Sequence, residues 1–489
     1  MAESKTKFPE FIGPSNTLRV SRFDAQRTVN MYLEANPLGQ GKGQEPIALI
    51  GTPGLKVLPG IPSGIGTGPI RAVYSVSLNN AVYVVSGAEV YKLDAELDDP
   101  VFVGPLLTST GYVSIADNGT SGGELVIVDG QYGYVTNLIG VPTLTNIISP
   151  NFYPASTVSF QDGYFVFCQT GTSYYFISDL YSATFLPLNQ ANKSGDSDIL
   201  VGAICNNRIL YLLGQNTIET WWDSGQSGST PFARQDGQFI QTGCLAVGSI
   251  QRLQNTIMWL GANPQGGAVV YMLQNQQAVR VSNHAVEFSL QNSAGLTGAT
   301  AYAWQIEGHY FYVLNCPGLN TTWVFDLATQ QWFEQQSSVN GVQGRHLGGC
   351  HTFYNGTHLI GDYQSNLVYI SDFDTFTDNG NPIIRVRQCP HVSQSLNRIF
   401  YKLLEIDFSP GVGLNGNVNP RIALEISNDG GKTFGRPIYA SLGQIGTYLS
   451  RARWQRLGSS RDRVFRLTMS DPVKFHLLSA MLDLEVGAA

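Results

Sequence analysis

One pattern constrains this chain more than any other: a pair of short apolar strands joined by a tight turn, repeated along most of its length. Ala81-Val82-Tyr83-Val84-Val85 turns at Gly87 and returns as Val90-Tyr91-Lys92-Leu93-Asp94. Leu125-Val126-Ile127-Val128 turns through Asp129-Gly130 and returns as Tyr134-Val135-Thr136. Equivalent pairs follow, with first strands starting near residues 82, 125, 164, 209, 257, 310 and 359, so successive starts lie 39 to 53 residues apart. A period of that length, built from short strands, is the signature of a β-propeller blade. The runs are rich in β-branched and aromatic residues and are bounded by Gly, Asn and Asp, which favours strands over helices. Seven units are counted, or six if one pair is an outlying hairpin. A single blade buries its faces only against its neighbours, so the ring has to close.

Composition agrees with many strands and turns. Aromatic residues make up 11% of the 489 residues, while charged residues reach only 13%, about half the usual share. Disorder requires the opposite balance. Several second strands end in Asp (Asp94, Asp179, Asp223, Asp326, Asp372), placed to bond the backbone amides of the following turn. Reading them as catalytic carboxylates is weak, because equivalent turns in separate blades point apart. Asp326 to Trp332 also looks like the end of a kelch-type blade. The six cysteines (Cys168, Cys205, Cys244, Cys316, Cys350, Cys389) form no CxxC pair and read as reduced core residues of a protein made in a reducing cytosol. Met1 to Phe11 lacks the apolar stretch of a secretory signal, and no run approaches the roughly 18 apolar residues of a membrane helix, so no membrane insertion is expected.

The propeller pattern fills residues 71–380. Residues 1–70 are Pro- and Gly-rich with two apolar stretches, Val29 to Leu33 and Ile47 to Ile50, and read as an extended arm ending in the linker Gly60 to Gly68. Residues 381–489 read as strands without the blade period: Ile383 to Arg387, Leu403 to Phe408, Arg421 to Ile426, Val464 to Met469 and Leu482 to Val486. A separate β-sandwich-like domain is expected there. Charge marks the same boundary. Residues 1–379 hold 15 Lys and Arg against 28 Asp and Glu, a balance of −13; residues 380–489 hold 14 against 8, a balance of +6.

Motifs of catalysis are scarce: HExxH and the P-loop are both missing, and no cofactor or metal is implied. His346, Cys350, His351 and His358 lie close in sequence, but their spacing is unlike common zinc sites. Ser427-Asn428-Asp429-Gly430-Gly431-Lys432-Thr433-Phe434 matches the Asp-box SxDxGxTF that recurs in sialidase propellers. Its mechanics are those of a hairpin: Ser427 and Thr433 flank Asp429, which ties down the turn, Gly431 permits unusual φ, and Phe434 packs beneath. The other feature is basic. Arg451, Arg453, Arg456, Arg461, Arg463 and Arg466 cluster with Trp454 and Phe465 between them. They read either as the solvated face of two strands joined at Gly458-Ser459-Ser460 or as a docking face, since Arg and Trp are favoured interface anchors. An acidic protein and DNA phosphates are both compatible partners.

Several segments together resemble the packaged-DNA stabilisation protein, the tail hub or nozzle, of short-tailed bacteriophages (podoviruses). They are Thr28-Val29-Asn30-Met31-Tyr32 followed by Thr52-Pro53-Gly54-Leu55; Tyr174 to Leu180 followed by Gly214-Gln215-Asn216-Thr217-Ile218-Glu219; and the run from Ser427 through Arg436 and Trp454-Gln455-Arg456-Leu457-Gly458 to Leu484-Glu485. Their order and spacing span nearly the whole chain. The resemblance implies a virion structural protein without catalysis, made in the bacterial host cytoplasm. It implies a six-fold ring of this chain below the portal and its adaptor ring, guiding genomic DNA, meeting a plug or needle, and carrying fibres or spikes. An acidic channel wall would repel DNA phosphates, and a basic patch could seat against an acidic neighbour. Two competing readings are a glycan-binding or glycan-active propeller, suggested by the Asp-box and Trp221-Trp222, and a kelch-like interaction scaffold.

Overall fold

The computed structural model describes residues 5–36, 45–196, 198–226, 230–262, 266–409, 419–444 and 446–487. Seven four-stranded antiparallel blades are present among them. The first consists of Ile70–Val76, Ala81–Ser86, Glu89–Leu93 and Val101–Pro105. In every blade the second and third strands are the pair read from the sequence, such as Tyr164–Gln169 with Tyr174–Ile177 and Thr357–Asp362 with Val368–Asp372.

The strands look continuously apolar because both faces of a blade are covered. Side chains alternate across a strand, and in Ala81–Ser86 the two sets enter different cores. Val82 and Val84 pack with Leu359 and Val368 of the last blade, whereas Tyr83 and Val85 pack with Leu125 and Ile127 of the second. The alternation repeats around the ring, with Val126 and Val128 against Phe165 and Phe167, then Val166 and Cys168 against Leu210 and Leu212. Each such side chain contributes about 1.5–3 kcal/mol on burial. All six cysteines are free, and burial pushes their thiols up to about 12.

The last blade takes its fourth strand from the start of the chain. Gly54–Val57 lies antiparallel to Val368–Asp372, with Val57 opposite Tyr369 and Gly54 opposite Asp372. Gly54 is required there: a Cβ would stand 2.5 Å from the Thr377 carbonyl oxygen and 2.6 Å from that of Thr375. Ile61 and Ile65, within the glycine-rich stretch read as a linker, are buried in the core between the last and first blades.

The remaining strands form a sandwich. One sheet runs Met31–Ala35, Ile47–Gly51, His476–Val486, Ile399–Phe408, Ala452–Ser460; the other runs Ala25–Val29, Arg385–Gln388, Asp462–Met469, Arg421–Ser427, Ile438–Ser441. Leu404, Ile406, Leu424, Trp454, Phe465 and Leu467 fill the space between them. The first seventy residues are thus woven into both bodies, supplying strands to each sandwich sheet and to the last blade. The second sheet is also continuous with the propeller, because Ala25–Val29 runs parallel to Gln331–Val339 of the sixth blade.

Asn30 makes the crossing between the two sandwich sheets. Its φ of 56° is left-handed, a conformation Asn tolerates better than most residues. That turn divides the apolar stretch Val29 to Leu33, sending Val29 to one sheet and Met31 to the other. The Asn30 side chain donates to the carbonyls of Gln336 and Ile384, both at 2.9 Å, and accepts from the Gln336 amide at 2.9 Å. Arg387, wholly buried, donates to the carbonyls of Phe11, Pro14 and Glu10 and to Thr28 Oγ1 and Gln26 Oε1, so its guanidinium pins the preceding N-terminal loop.

Candidate interaction surfaces

The arginine cluster separates into three environments. Ala452–Ser460 is one long strand, and the turn falls at Arg461 rather than at Gly458-Ser459-Ser460. Its register slips by one residue around Arg456, which has a φ of 58°. This bulge keeps Gly458 in the strand, where sequence reading placed a turn. Alternation along the strand turns Arg453 and Gln455 outward and Ala452 and Trp454 inward.

Arg451 and Arg453 converge on one carboxylate. Glu405 Oε1 accepts from Arg451 Nη1 at 3.0 Å and Arg453 Nη2 at 3.2 Å, and Oε2 accepts from Lys5 at 3.0 Å. Burial opposes the charge on Glu405, but the hydrogen bonds from Lys5, Arg451 and Arg453 outweigh it and hold the carboxyl down at about 2. Asp407 lies 3.9 Å from Arg451 Nε, so three cations meet two carboxylates and one positive charge is left over, with Arg451 and Arg453 about half exposed. Arg456 and Arg461 are exposed and have no ion-pair partner among the described residues.

Trp454 and Arg463 are interior. Trp454 is 3% exposed and donates from its indole to the Ile438 carbonyl at 2.8 Å. Arg463, 2% exposed, donates to Asn428 Oδ1 and to the Leu457 carbonyl, with its guanidinium 4.1 Å over the Tyr401 ring. Neither presents a surface within this chain. Arg466 forms a two-point bond with Glu425, both contacts at 2.9 Å, and its guanidinium lies 3.8 Å over the half-buried Phe434 ring.

The Asp-box is the turn leaving Arg421–Ser427. Asp429 accepts from Ser427 Oγ at 2.6 Å, from Thr433 Oγ1 at 2.6 Å, and from the amides of Lys432 and Thr433, while Gly431 donates its amide to Ser427 Oγ. The Ser427 and Thr433 hydroxyls lead in holding its carboxyl well below the usual range. Gly430 and Gly431 take φ of 78° and 83°. Every acceptor of Asp429 is spent on its own turn, which is a structural use of the motif.

The blade carboxylates are likewise turn-formers. Asp94 accepts the Glu96 and Leu97 amides, Asp223 that of Gly225, Asp326 that of Ala328 and Asp372 that of Asp374, while Asp179 takes the Thr184 hydroxyl. Trp221 donates to Glu219 Oε2, leaving Trp222 as the exposed member of that pair. His351 Nε2 and His358 Nδ1 lie 3.0 Å apart, and no group of three His, Cys, Asp or Glu able to hold a metal occurs among the described residues.

A surface missed by sequence reasoning lies on the turns of the second and third blades. Ile139, Val141, Leu186 and Leu188 are 57% to 87% exposed. The two blades touch where Asn118 donates to the Tyr181 carbonyl. Nothing in their local pattern distinguishes these apolar residues from core ones.

Comparison with known proteins matches the same two bodies. The family described as bacteriophage P22 Gp10, beta-propeller, matches residues 9–376, and that described as bacteriophage P22 Gp10, beta-sandwich, matches residues 384–485. The tail hub protein gp10 of Salmonella phage P22 is 22% identical over 479 residues, covering 91% of this chain and 98% of that protein. Among solved structures, the Pan2 WD40 domain of Neurospora crassa is similar with a TM-score of 0.41 and 11% identity, covering 65% of this chain and 94% of that one. A streptogramin B lyase gives a TM-score of 0.42 and 10% identity, covering 70% and 98%. With both its propeller and its sandwich matched, the chain belongs to the bacteriophage P22 gp10 family.

Proposed function

We propose that this chain forms the tail hub, or nozzle, of a short-tailed phage: a ring of six copies below the portal and adaptor that guides genomic DNA and docks a plug or needle and fibres or spikes. Homology to the P22 tail hub protein supports a tail structural protein, a virion location and a non-enzymatic role, and that colinear match across both domains carries the reading. The surface agrees with it. Low overall charge and apolar blade turns suit broad permanent interfaces, and a heterologous contact repeated around an axis closes into a ring. Arg451, Arg453, Arg456 and Arg461 supply the exposed positive side of the sandwich, suited to an acidic neighbour. The acidic propeller portion suits a channel wall that repels phosphate.

The test is the composition of purified particles by quantitative mass spectrometry. About half as many copies of this chain as of a twelve-fold portal subunit is the expected result; absence from the particles overturns the reading. Reversing charge at Arg453 and Arg456 is expected to impair attachment of the ring, and intact assembly would remove the arginine face from it.

A further inference from the structure

A cavity of about 150 Å³ opens where the sixth blade meets the sandwich, bordered by Tyr32, Glu34, Glu307, Arg385, Lys474 and His476 among others. Its floor is unusual. Arg385 is 2% exposed, yet its Nε and Nη1 have no hydrogen-bond partner among the described residues, and neither has the buried Nδ1 of His476. Buried guanidinium groups elsewhere in this chain are satisfied: Arg387 makes five bonds and Arg463 two. An unpaired buried cation is costly and calls for a compensating acceptor. Gly51 makes room for it, since a Cβ there would stand 2.7 Å from Arg385 Nε.

The charged groups around the floor define the ligand. Asp378 is the acid that acts on Arg385, but it forms no ion pair with it among the described residues; its Oδ2 accepts from the Ser337 hydroxyl and its buried Oδ1 has no hydrogen-bond partner. At the mouth stand Lys474, Glu307 and Glu34, the last bonded at 2.8 Å to His309. Burial is the main force lowering His476, and Lys474 and Arg385 add to it, so two cations act at the floor, while Glu34 and Glu307 act on Tyr32 at the rim. A positive floor beneath a partly acidic rim admits a small anion and disfavours a polyanion. We propose that this cavity binds one small oxyanion of the phosphate or carboxylate class, which accepts hydrogen bonds from Arg385 at the floor and is attracted by Lys474 at the mouth. The bound ion joins Arg385 in one sandwich sheet to Lys474 beside His476–Val486 in the other, so its occupancy stiffens the contact between the two sheets at this cavity.

The experiment uses the full chain, exchanged into chloride, and follows thermal unfolding at constant ionic strength as inorganic phosphate or acetate replaces chloride. The expected result is a saturable rise in melting temperature with at least one of them; which one identifies the class. Lys474→Ala, at an exposed position, is expected to raise the apparent dissociation constant about tenfold, and Arg385→Gln to abolish the effect. If Arg385→Gln fails to fold, the imidazole resonances of His476 decide: a bound oxyanion raises its titration midpoint from about 4. No saturable shift with either ion overturns the proposal. A shift that survives Lys474→Ala unchanged and leaves His476 unmoved overturns it as well, showing an adventitious ion only.

Discussion

Replacing Asn30 tests whether one side chain couples the two sandwich sheets to the propeller. In Asn30→Ala three backbone groups lose their partner: the Gln336 amide, the Gln336 carbonyl and the Ile384 carbonyl. The site is 2% exposed, so water has little access to replace them. Each orphaned buried group costs about 1–3 kcal/mol, and holding alanine at a φ of 56° adds about 1–2 kcal/mol. Partial relaxation brings the sum to about 3–6 kcal/mol. Asn30→Gly separates the two terms, because glycine accepts the left-handed backbone freely while losing the same three bonds. The assay is equilibrium urea unfolding followed by tryptophan fluorescence in two backgrounds, one keeping only Trp454 to report the sandwich and one keeping only Trp332 and Trp323 to report the sixth blade, the other tryptophans of the seven being replaced by Phe. Alanine is expected to be the most destabilising, glycine to recover about 1 kcal/mol or somewhat more, and both probes to shift together. A glycine variant as stable as the native chain would refute the hydrogen-bond argument. A shift confined to Trp454 would refute the coupling.

Three further outcomes follow from particular side chains. Gly54→Ala drives a Cβ into the Thr375 and Thr377 carbonyls, and is expected to release the closing strand, detected as new proteolytic cleavage between residues 45 and 60. Glu405, held at about 2 in the folded chain, contributes stability that is present above its unfolded value near 4.3 and is lost as pH falls toward 2; Glu405→Gln should therefore lose stability at neutral pH and show less acid dependence between about pH 5 and 2. His309 donates its ring nitrogens to Asp326 and Glu34 at 2.8 Å; burial opposes its protonation, but these two acids win and raise it to about 9. Its contribution is fully present below about 6.5 and is lost as pH rises through about 9, so His309→Gln should flatten stability across that window.

The propeller was legible because its repeat is written in local terms: strand, tight turn, strand, with Asp94, Asp223 and Asp372 fixing the turns that follow. Blade number followed once the seven pairs proved to be the middle strands of seven sheets. The sandwich was legible as strands but not in detail. Arg456 at left-handed φ shifts the register of its strand, and no local signal in Trp454-Gln455-Arg456-Leu457-Gly458 marks a bulge rather than a turn. The arm-like reading of residues 1–70 had the same origin. Their strands are short and are stabilised by partners hundreds of residues away, such as Glu334 for Val29 and Tyr369 for Val57. Trp454 and Arg463 match interface anchors by residue type, and only the sheet register shows them turned inward.

The borrowed strand of the last blade has a kinetic consequence. Val57 and Tyr369 are 312 positions apart, so residues 54–57 leave the ribosome long before their partner exists. Until then the ring has an open edge, and loop-closure entropy slows the final pairing. Closure thus acts as a proofreading step on synthesis: a chain interrupted before residue 372 keeps an unpaired strand edge exposed and open to proteolysis. The Ala25–Val29 strand awaits Arg385–Gln388 in the same way. A closed ring and a complete sandwich therefore both require synthesis through Val486, so a chain stopped earlier lacks finished surfaces for assembly.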